Sequence, residues 1–222
     1  VISEFKNIIL GFLFPSFCVA CNKPGDWWCA ECRDGVQKLD GTICPKCLKL
    51  IPLIHDENCG DLPFANVWSI GYYHDPKLRA AITALKFNGT SALMGDLQRF
   101  VSDRLPSLPE GSVLVPMPLA EKRLKERGFN QAELIAGLFP GKVSSDCLRR
   151  VVHRDPQSSV AHDFGARQLN IQNCFQAVGD IPKQIILVDD VITTGATAAE
   201  AAKVLLAAGA ESVSVLTLAI GA

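Results

Sequence analysis

Apolar runs and apolar periodicities alternate along most of this chain, and their order predicts its architecture. "NVWSIGYY", Asn66 to Tyr73, reads as a strand, and "DPKLRAAITALKFNG" as a helix with Pro76 in its first turn and Gly89 at its end. "TSALMGDLQRFVSDRL" repeats the helical spacing, and "GSVLVPMP", Gly111 to Pro118, is a short buried strand broken by Pro116 and Pro118. "LAEKRLKERGFNQAELIAGLF" is helical in its later part, after which residues 142–173 are polar and aperiodic. "KQIILVDD" is again a strand, "GATAAEAAKVLLAAGA" a helix rich in small residues, and "SVSVLTLAI" a last strand. Continuous apolar strands alternating with helices predict an α/β fold, an open parallel sheet with helices on both faces.

The pattern differs before Pro63. Ile2, Phe5, Ile8, Ile9 and Phe12 recur at helical spacing, interrupted by Glu4, Lys6 and Asn7. They predict an amphipathic helix docked on the rest of the protein, neither a secretory leader nor a membrane span. A cysteine-rich segment follows, so the chain is expected to divide into an N-terminal helix and cysteine module, 1–64, and an α/β domain, 65–222. The whole is 222 residues long, 48% hydrophobic, with a formal net charge of -1. That balance argues against bulk electrostatic binding to nucleic acid or to an anionic membrane.

Seven of the nine cysteines lie between Cys18 and Cys59. Paired Cys-x-x-Cys spacings without a secretory leader point to metal thiolates in a reducing compartment, the cytoplasm, and not to disulfides. Cys18, Cys21, Cys29 and Cys32 form two pairs close together, as a tetrahedral Cys₄ zinc site requires. Cys44, Cys47 and Cys59 leave a second site one ligand short, which His55 completes, while pairing of Cys18 and Cys21 with Cys44 and Cys47 stays an alternative. Cys147 and Cys174 read as packing residues. Trp27, Trp28 and Phe17 either form the core of the small module or offer stacking faces to single-stranded bases.

The most informative stretch is "ILVDDVITTGAT", Ile186 to Thr197. In an open parallel sheet, ligands bind beyond the carboxyl ends of the strands. Asp189 and Asp190 lie there, and Val191, Ile192, Thr193, Thr194, Gly195, Ala196 and Thr197 lead into a helix whose first N–H groups lack intrahelical partners and attract anions. Gly195 lets the backbone approach a phosphate, and the threonine hydroxyls donate to its oxygens. Two carboxylates beside a phosphate need another partner, and vicinal ribose hydroxyls supply it. The stretch therefore describes a clamp for ribose 5-phosphate. Upstream, Arg123 and Arg127 are four apart and carry forked donors suited to phosphate. Lys122 and Lys125 read equally well as a solvated helix face.

"ILVDDVITTGAT" resembles the phosphoribosyl diphosphate (PRPP) motif of type I phosphoribosyltransferases. The chain from its first Cys-x-x-Cys through "VPMPLAEKRLKERGFNQAELIA" and "PQSSVAHDFGARQLNIQNCFQA" to its end resembles the ComF/GntX family, amidophosphoribosyltransferase-like proteins also called competence protein F. The resemblance implies a type I phosphoribosyltransferase-like sheet with a structural zinc module. It also implies PRPP and Mg²⁺ as ligands, transfer of phosphoribosyl to an acceptor with release of pyrophosphate, and a role in the use of imported DNA, with single-stranded DNA or competence proteins as partners. It places the turn of Arg127, Gly128, Asn130 and Gln131 where relatives bind pyrophosphate, and a lid carrying Arg154, Gln157 and Arg167 over the donor. Oxopurine-type relatives carry an acid where this chain has Thr193, which argues against hypoxanthine or guanine as acceptor.

Overall fold

The computed structural model describes residues 16–39, 41–51, 59–88, 91–151 and 174–221. The expected N-terminal helix, His55 and the lid residues Arg154, Gln157 and Arg167 lie outside them. The core is a five-stranded, all-parallel sheet in the order β3-β9-β8-β4-β5. Its strands are β3 (Val67–Tyr72), β4 (Val113–Pro116), β5 (Lys142–Val143), β8 (Gln184–Ile192) and β9 (Ser212–Ile220). Two short antiparallel pairs stand outside it: β1 (Thr42–Ile43) with β2 (Leu50–Ile51), and β6 (Leu148–Arg150) with β7 (Phe175–Ala177).

A parallel sheet must bury both faces, and alternation along the strands assigns each side its own core. Ile185 and Leu187 of β8, with Val213 and Val215 of β9, pack under α6 (Ala196–Ala207). Ile186 and Val188, with Leu216 and Leu218, pack under α2 (Pro76–Asn88) and α3 (Ser91–Ser102). The second helix shows the expected spacing, because Leu78, Ala81, Ile82 and Leu85 recur at three and four residues and are all fully buried. Asp75 starts that helix, its carboxylate accepting from the N–H groups of Lys77 at 2.8 Å and Leu78 at 3.2 Å.

Three segments differ from the sequence pattern. "LAEKRLKERGFNQAELIAGLF" forms two helices, α4 (Glu121–Arg127) and α5 (Gln131–Ala136), so helix starts before the later part of the stretch, and α4 carries the solvated face read for Lys122 and Lys125. It buries none of its residues, so no apolar stripe announced it. The break has a local cause: Gly128, at φ 77, closes one helix in the left-handed region, and Asn130 caps the next. The aperiodic stretch also contributes β5 and β6, each too short to show a period of two. Strand β8 extends two residues beyond "KQIILVDD", pairing with β9 as far as Ile192 opposite Ile220.

The cysteine module straddles the sheet. Cys18, Trp28 and Cys32 belong to the core under α2 and α3, whereas Ile43, Leu48 and Phe64 belong to the core on the α6 side. Asp96 of α3 fastens the first half: its Oδ2 accepts from the Trp28 N–H at 2.9 Å, and its Oδ1 from Arg33 at 2.6 Å. That ion pair is almost wholly buried, and helix α1 (Ala30–Asp34) holds Arg33 in place. Trp28 packs against Phe100 with ring centroids 4.8 Å apart and is fully buried, so it serves as core and not as a stacking surface. Cys147 and Cys174 are likewise core residues.

Candidate functional site: a cleft at the switch point of the sheet

The chain leaves β4 toward β5 at one edge of the sheet and leaves β8 toward β9 in the other direction. Two neighbouring strands whose connections diverge open a crevice at their carboxyl ends. Pairing between them ends at Pro116 opposite Val188, with a last bond from the Met117 N–H to the Val188 carbonyl at 2.8 Å. Beyond that point β8 is paired only with β9, and Asp189 and Asp190 are the first residues to border the opening.

The two acids occupy different surroundings. Asp190 is buried, held by Lys86 Nζ on Oδ1 at 3.0 Å and by Gln131 Nε2 on Oδ2 at 3.1 Å. Asp189 is half-buried and faces the cleft, with its Oδ1 accepting from the Asp190 N–H at 2.8 Å. Burial, and secondly the neighbouring Asp190 carboxylate, push the Asp189 carboxyl up to about 7. The Asp190 N–H and the cations Lys86 and Arg150 oppose that rise without cancelling it.

Two adjoining hollows share Met117, Asp189 and Thr197. The smaller is walled by residues 191–198 together with Val215 and Thr217. Gly195, at φ 72, turns the backbone into α6, whose N–H groups at Thr197 and Ala198 lie in the first helical turn and so have no intrahelical acceptor. The Thr194 hydroxyl accepts from the Ala196 N–H at 3.4 Å. The larger hollow brings Asp189 and Asp190 together with Lys86, Arg123, Arg127, Arg150 and Gln131. Arg127 donates to Gln131 Oε1 at 2.9 Å, so Gln131 links that guanidinium to Asp190. Four cations against two carboxylates give this hollow the chemistry to take a polyanion that also carries hydroxyl donors.

Asn130 faces elsewhere. Its Oδ1 accepts from the Ala132 N–H at 3.1 Å and its Nδ2 donates to the Met117 carbonyl at 3.2 Å, which joins the start of α5 to the exit of β4. Lys125 pairs with Glu121 at 2.7 Å on the exposed side of its helix, as a solvated pair. Lys86 and Arg150 carry no motif in the sequence. One lies in the last turn of a helix and the other ends a three-residue strand, and only folding brings Lys86 to Asp190 and Arg150 into the same hollow.

The sulfurs of Cys18, Cys21, Cys29 and Cys32 lie within 4.8 Å of one another, and so do those of Cys44, Cys47 and Cys59. Cys18 and Cys21 thus do not share a cluster with Cys44 and Cys47. A tetrahedral zinc with Zn–S near 2.3 Å requires sulfurs about 3.8 Å apart. The Cys21–Cys29 and Cys44–Cys59 separations are 3.7 and 3.6 Å. Backbone N–H groups also point at sulfur, from Cys29 to Cys18 at 3.5 Å and from Lys46 to Cys44 at 3.4 Å. Burial raises the Cys18 thiol, but N–H groups of Cys29, Cys21 and Ala20 outweigh it and bring it down to about 6. Donors aimed at sulfur suit a thiolate at Cys18, whereas burial and then the neighbouring sulfurs push the Cys32 and Cys59 thiols up.

Comparison with known proteins agrees with these features. Residues 9–62 match the double zinc ribbon domain. The chain is 30% identical to DNA utilization protein YhgH of Escherichia coli, over 92% of this chain and 96% of that protein. The chain belongs to the ComF/GntX family. Other relatives are Competence protein ComFC of Bacillus subtilis, at 30% identity over 88% of this chain and 85% of that one, and Competence protein F of Haemophilus influenzae, at 27% over 86% and 96%. In this ComF/GntX chain the N-terminal cysteines form a zinc-ribbon module fit for structural zinc, attached to a five-stranded parallel sheet. No helix among the described residues is long and apolar enough to cross a membrane.

Proposed function

We propose that this protein binds PRPP at the switch-point cleft and transfers its phosphoribosyl group to a nitrogen acceptor, releasing pyrophosphate. The observation that carries this reading is the single cleft in which the Thr193–Thr197 loop, the paired aspartates and a cluster of four cations adjoin. Each suits one part of the donor. Loop hydroxyls and first-turn N–H groups receive the 5-phosphate, with Val191, Ile192 and Ala196 lining the approach. Asp189 and Asp190 accept from the ribose hydroxyls. Arg123, Arg127, Lys86 and Arg150 face the pyrophosphate arm, with Gln131 holding Arg127 in place. Gly128 and Asn130 shape the turn that presents Arg127.

In the reaction, the acceptor nitrogen forms a bond to C1 as the C1–O bond to pyrophosphate breaks. Pyrophosphate departs with the electron pair, and the acceptor sheds its proton to solvent. The carboxylates fix the sugar so that C1 meets the acceptor in line, and the cations stabilise charge gathering on the leaving oxygen. Mg²⁺, when bound to the pyrophosphate arm, neutralises part of that charge. Arg154, Gln157 and Arg167 belong to the lid in this proposal, and residues 65–222 to the transferase domain.

Relatives named for competence and for DNA utilization support a second part of the reading, in which the phosphoribosyl chemistry, or PRPP sensing without turnover, serves the handling of imported DNA. The deciding experiment is isothermal titration of the zinc-loaded protein with PRPP and Mg²⁺, on wild type and on the Asp189→Asn/Asp190→Asn variant. Binding is expected for the wild type and at least tenfold weaker for the variant. A wild type that does not bind removes the donor assignment. Pyrophosphate release on adding candidate bases and amines then separates transferase from sensor.

A further inference from the structure

The phosphate loop rests on the second cysteine cluster. Gly195 sits in the left-handed region at φ 72, and a Cβ there would lie 3.0 Å from Leu48 Cδ1, 3.2 Å from Leu62 Cδ1 and 3.4 Å from Phe64 Cε2. Leu48 follows Cys47 directly, and Leu62 lies three residues beyond Cys59. Two of the three side chains beneath the loop are therefore held by the cluster's own arms. The first cluster lies on the opposite face, among Trp28, Leu78 and Phe100.

These arms are held tightly. Leu48 has φ 64, a region that a leucine rarely enters, and its N–H donates to the Cys44 carbonyl at 2.9 Å to close the Cys-x-x-Cys turn. Such a conformation persists only where its surroundings enforce it. The Cys59 arm lies close against the same turn. A Cβ on Gly60 would be 2.4 Å from the Lys46 carbonyl oxygen, and the Leu62 N–H donates to that carbonyl at 3.4 Å. Lys46 Nζ returns a bond to the Leu62 carbonyl, also at 3.4 Å. A metal on Cys44, Cys47 and Cys59 would clamp turn and arm together and so fix the spacing of the two leucines.

We propose that Leu48 is a positioning residue for phosphate binding, and that metal occupancy of the Cys44–Cys47–Cys59 cluster sets the affinity of the Thr193–Thr197 loop through it. The inference rests on the reading of that loop as a phosphate site. A ligated cluster holds Leu48 and Leu62 against Gly195, and the loop meets its anion already in shape. Loss of the metal lets the leucines move, so the loop must be ordered by the ligand at the expense of affinity. Coupling between two sites is reciprocal, so phosphate at the loop must also retain metal in the second cluster and leave the first unaffected.

The test uses ribose 5-phosphate and PRPP with Mg²⁺ as probes of the zinc-loaded protein. Leu48→Ala and Cys59→Ser are each expected to weaken binding roughly fivefold or more, within the usual range of coupling between sites. Leu48→Met, similar in volume and unbranched at Cβ, is expected to restore it. Zinc release from wild type, driven by a thiol reagent and followed with a chromogenic chelator, needs no variant that folds poorly. The phase absent from Cys59→Ser should slow when ribose 5-phosphate is added, while the other phase does not change. A wild type that binds neither probe overturns the phosphate site itself. A wild type that binds, with equal affinity in Leu48→Ala or with zinc release indifferent to ribose 5-phosphate, overturns the coupling alone.

Discussion

Asp189→Asn should stabilise the ligand-free protein, and more so as pH rises. The carboxyl is pushed from 3.8 to about 7 by burial and by Asp190, so the folded state holds a proton that the unfolded chain has released. For a group raised in this way, the stabilisation is complete below pH 4 and is lost as pH climbs through 7. At about 1.4 kcal/mol per tenfold, the full penalty above pH 7 is on the order of 4 kcal/mol, and solvent on the open side of the cleft reduces it to about 2–3 kcal/mol. Asparagine is isosteric, and its Oδ1 still accepts from the Asp190 N–H, so the substitution isolates the charge. For a chain of this length the gain at pH 8 corresponds to roughly 5–10 °C in Tm, falling to less than half of that at pH 5. Melting followed by circular dichroism from pH 5 to 8.5, in phosphate-free buffer, measures both. An unchanged or lower Tm at pH 8, or a gain that does not vary with pH, would refute the account. The same variant should bind PRPP more weakly, as expected of a residue kept for binding at a cost in stability.

Lys86→Met leaves Asp190 with Gln131 alone and both acids poorly compensated; urea unfolding at pH 8 should show a loss of about 2 kcal/mol, shrinking toward pH 5, with weaker PRPP binding. Asp96→Asn removes the charge that holds nearly buried Arg33 to α3, and a loss of about 3 kcal/mol in urea unfolding is expected, with PRPP affinity unchanged. Native mass spectrometry should find two zinc ions per chain in the wild type and one in Cys21→Ser, since the two sulfur clusters are separate.

Strands β3, β8 and β9 were readable in the sequence because strands buried on both faces leave unbroken apolar runs. The aspartates and the threonine loop were readable because they are contiguous. Lys86 and Arg150 were not, because what matters in them is arrival in the hollow beside the aspartates, which depends on where a helix and a short strand end in space. The cysteine spacings foretold ligands but gave no sign that the two clusters would lie on opposite faces of the sheet, since that depends on which apolar neighbours, Trp28 or Leu48, each cluster carries. Helix α4 shows in the sequence only as the charge spacing of Glu121 and Lys125, because it buries nothing.

The placement of β3 has a consequence for biosynthesis. It forms one edge of the sheet and, apart from a single bridge from Gly71 to Lys38, pairs with β9, Val67 opposite Val215, so its main hydrogen-bonding partner is made near the end of the chain. At ordinary elongation rates that delay is on the order of 10 s. Throughout it the cysteine module, already outside the ribosome, can take up zinc and cover part of the orphan strand. A zinc-loaded module is then expected to shield that edge until β9 arrives, and cell-free synthesis with and without added zinc, read as the soluble fraction, checks it.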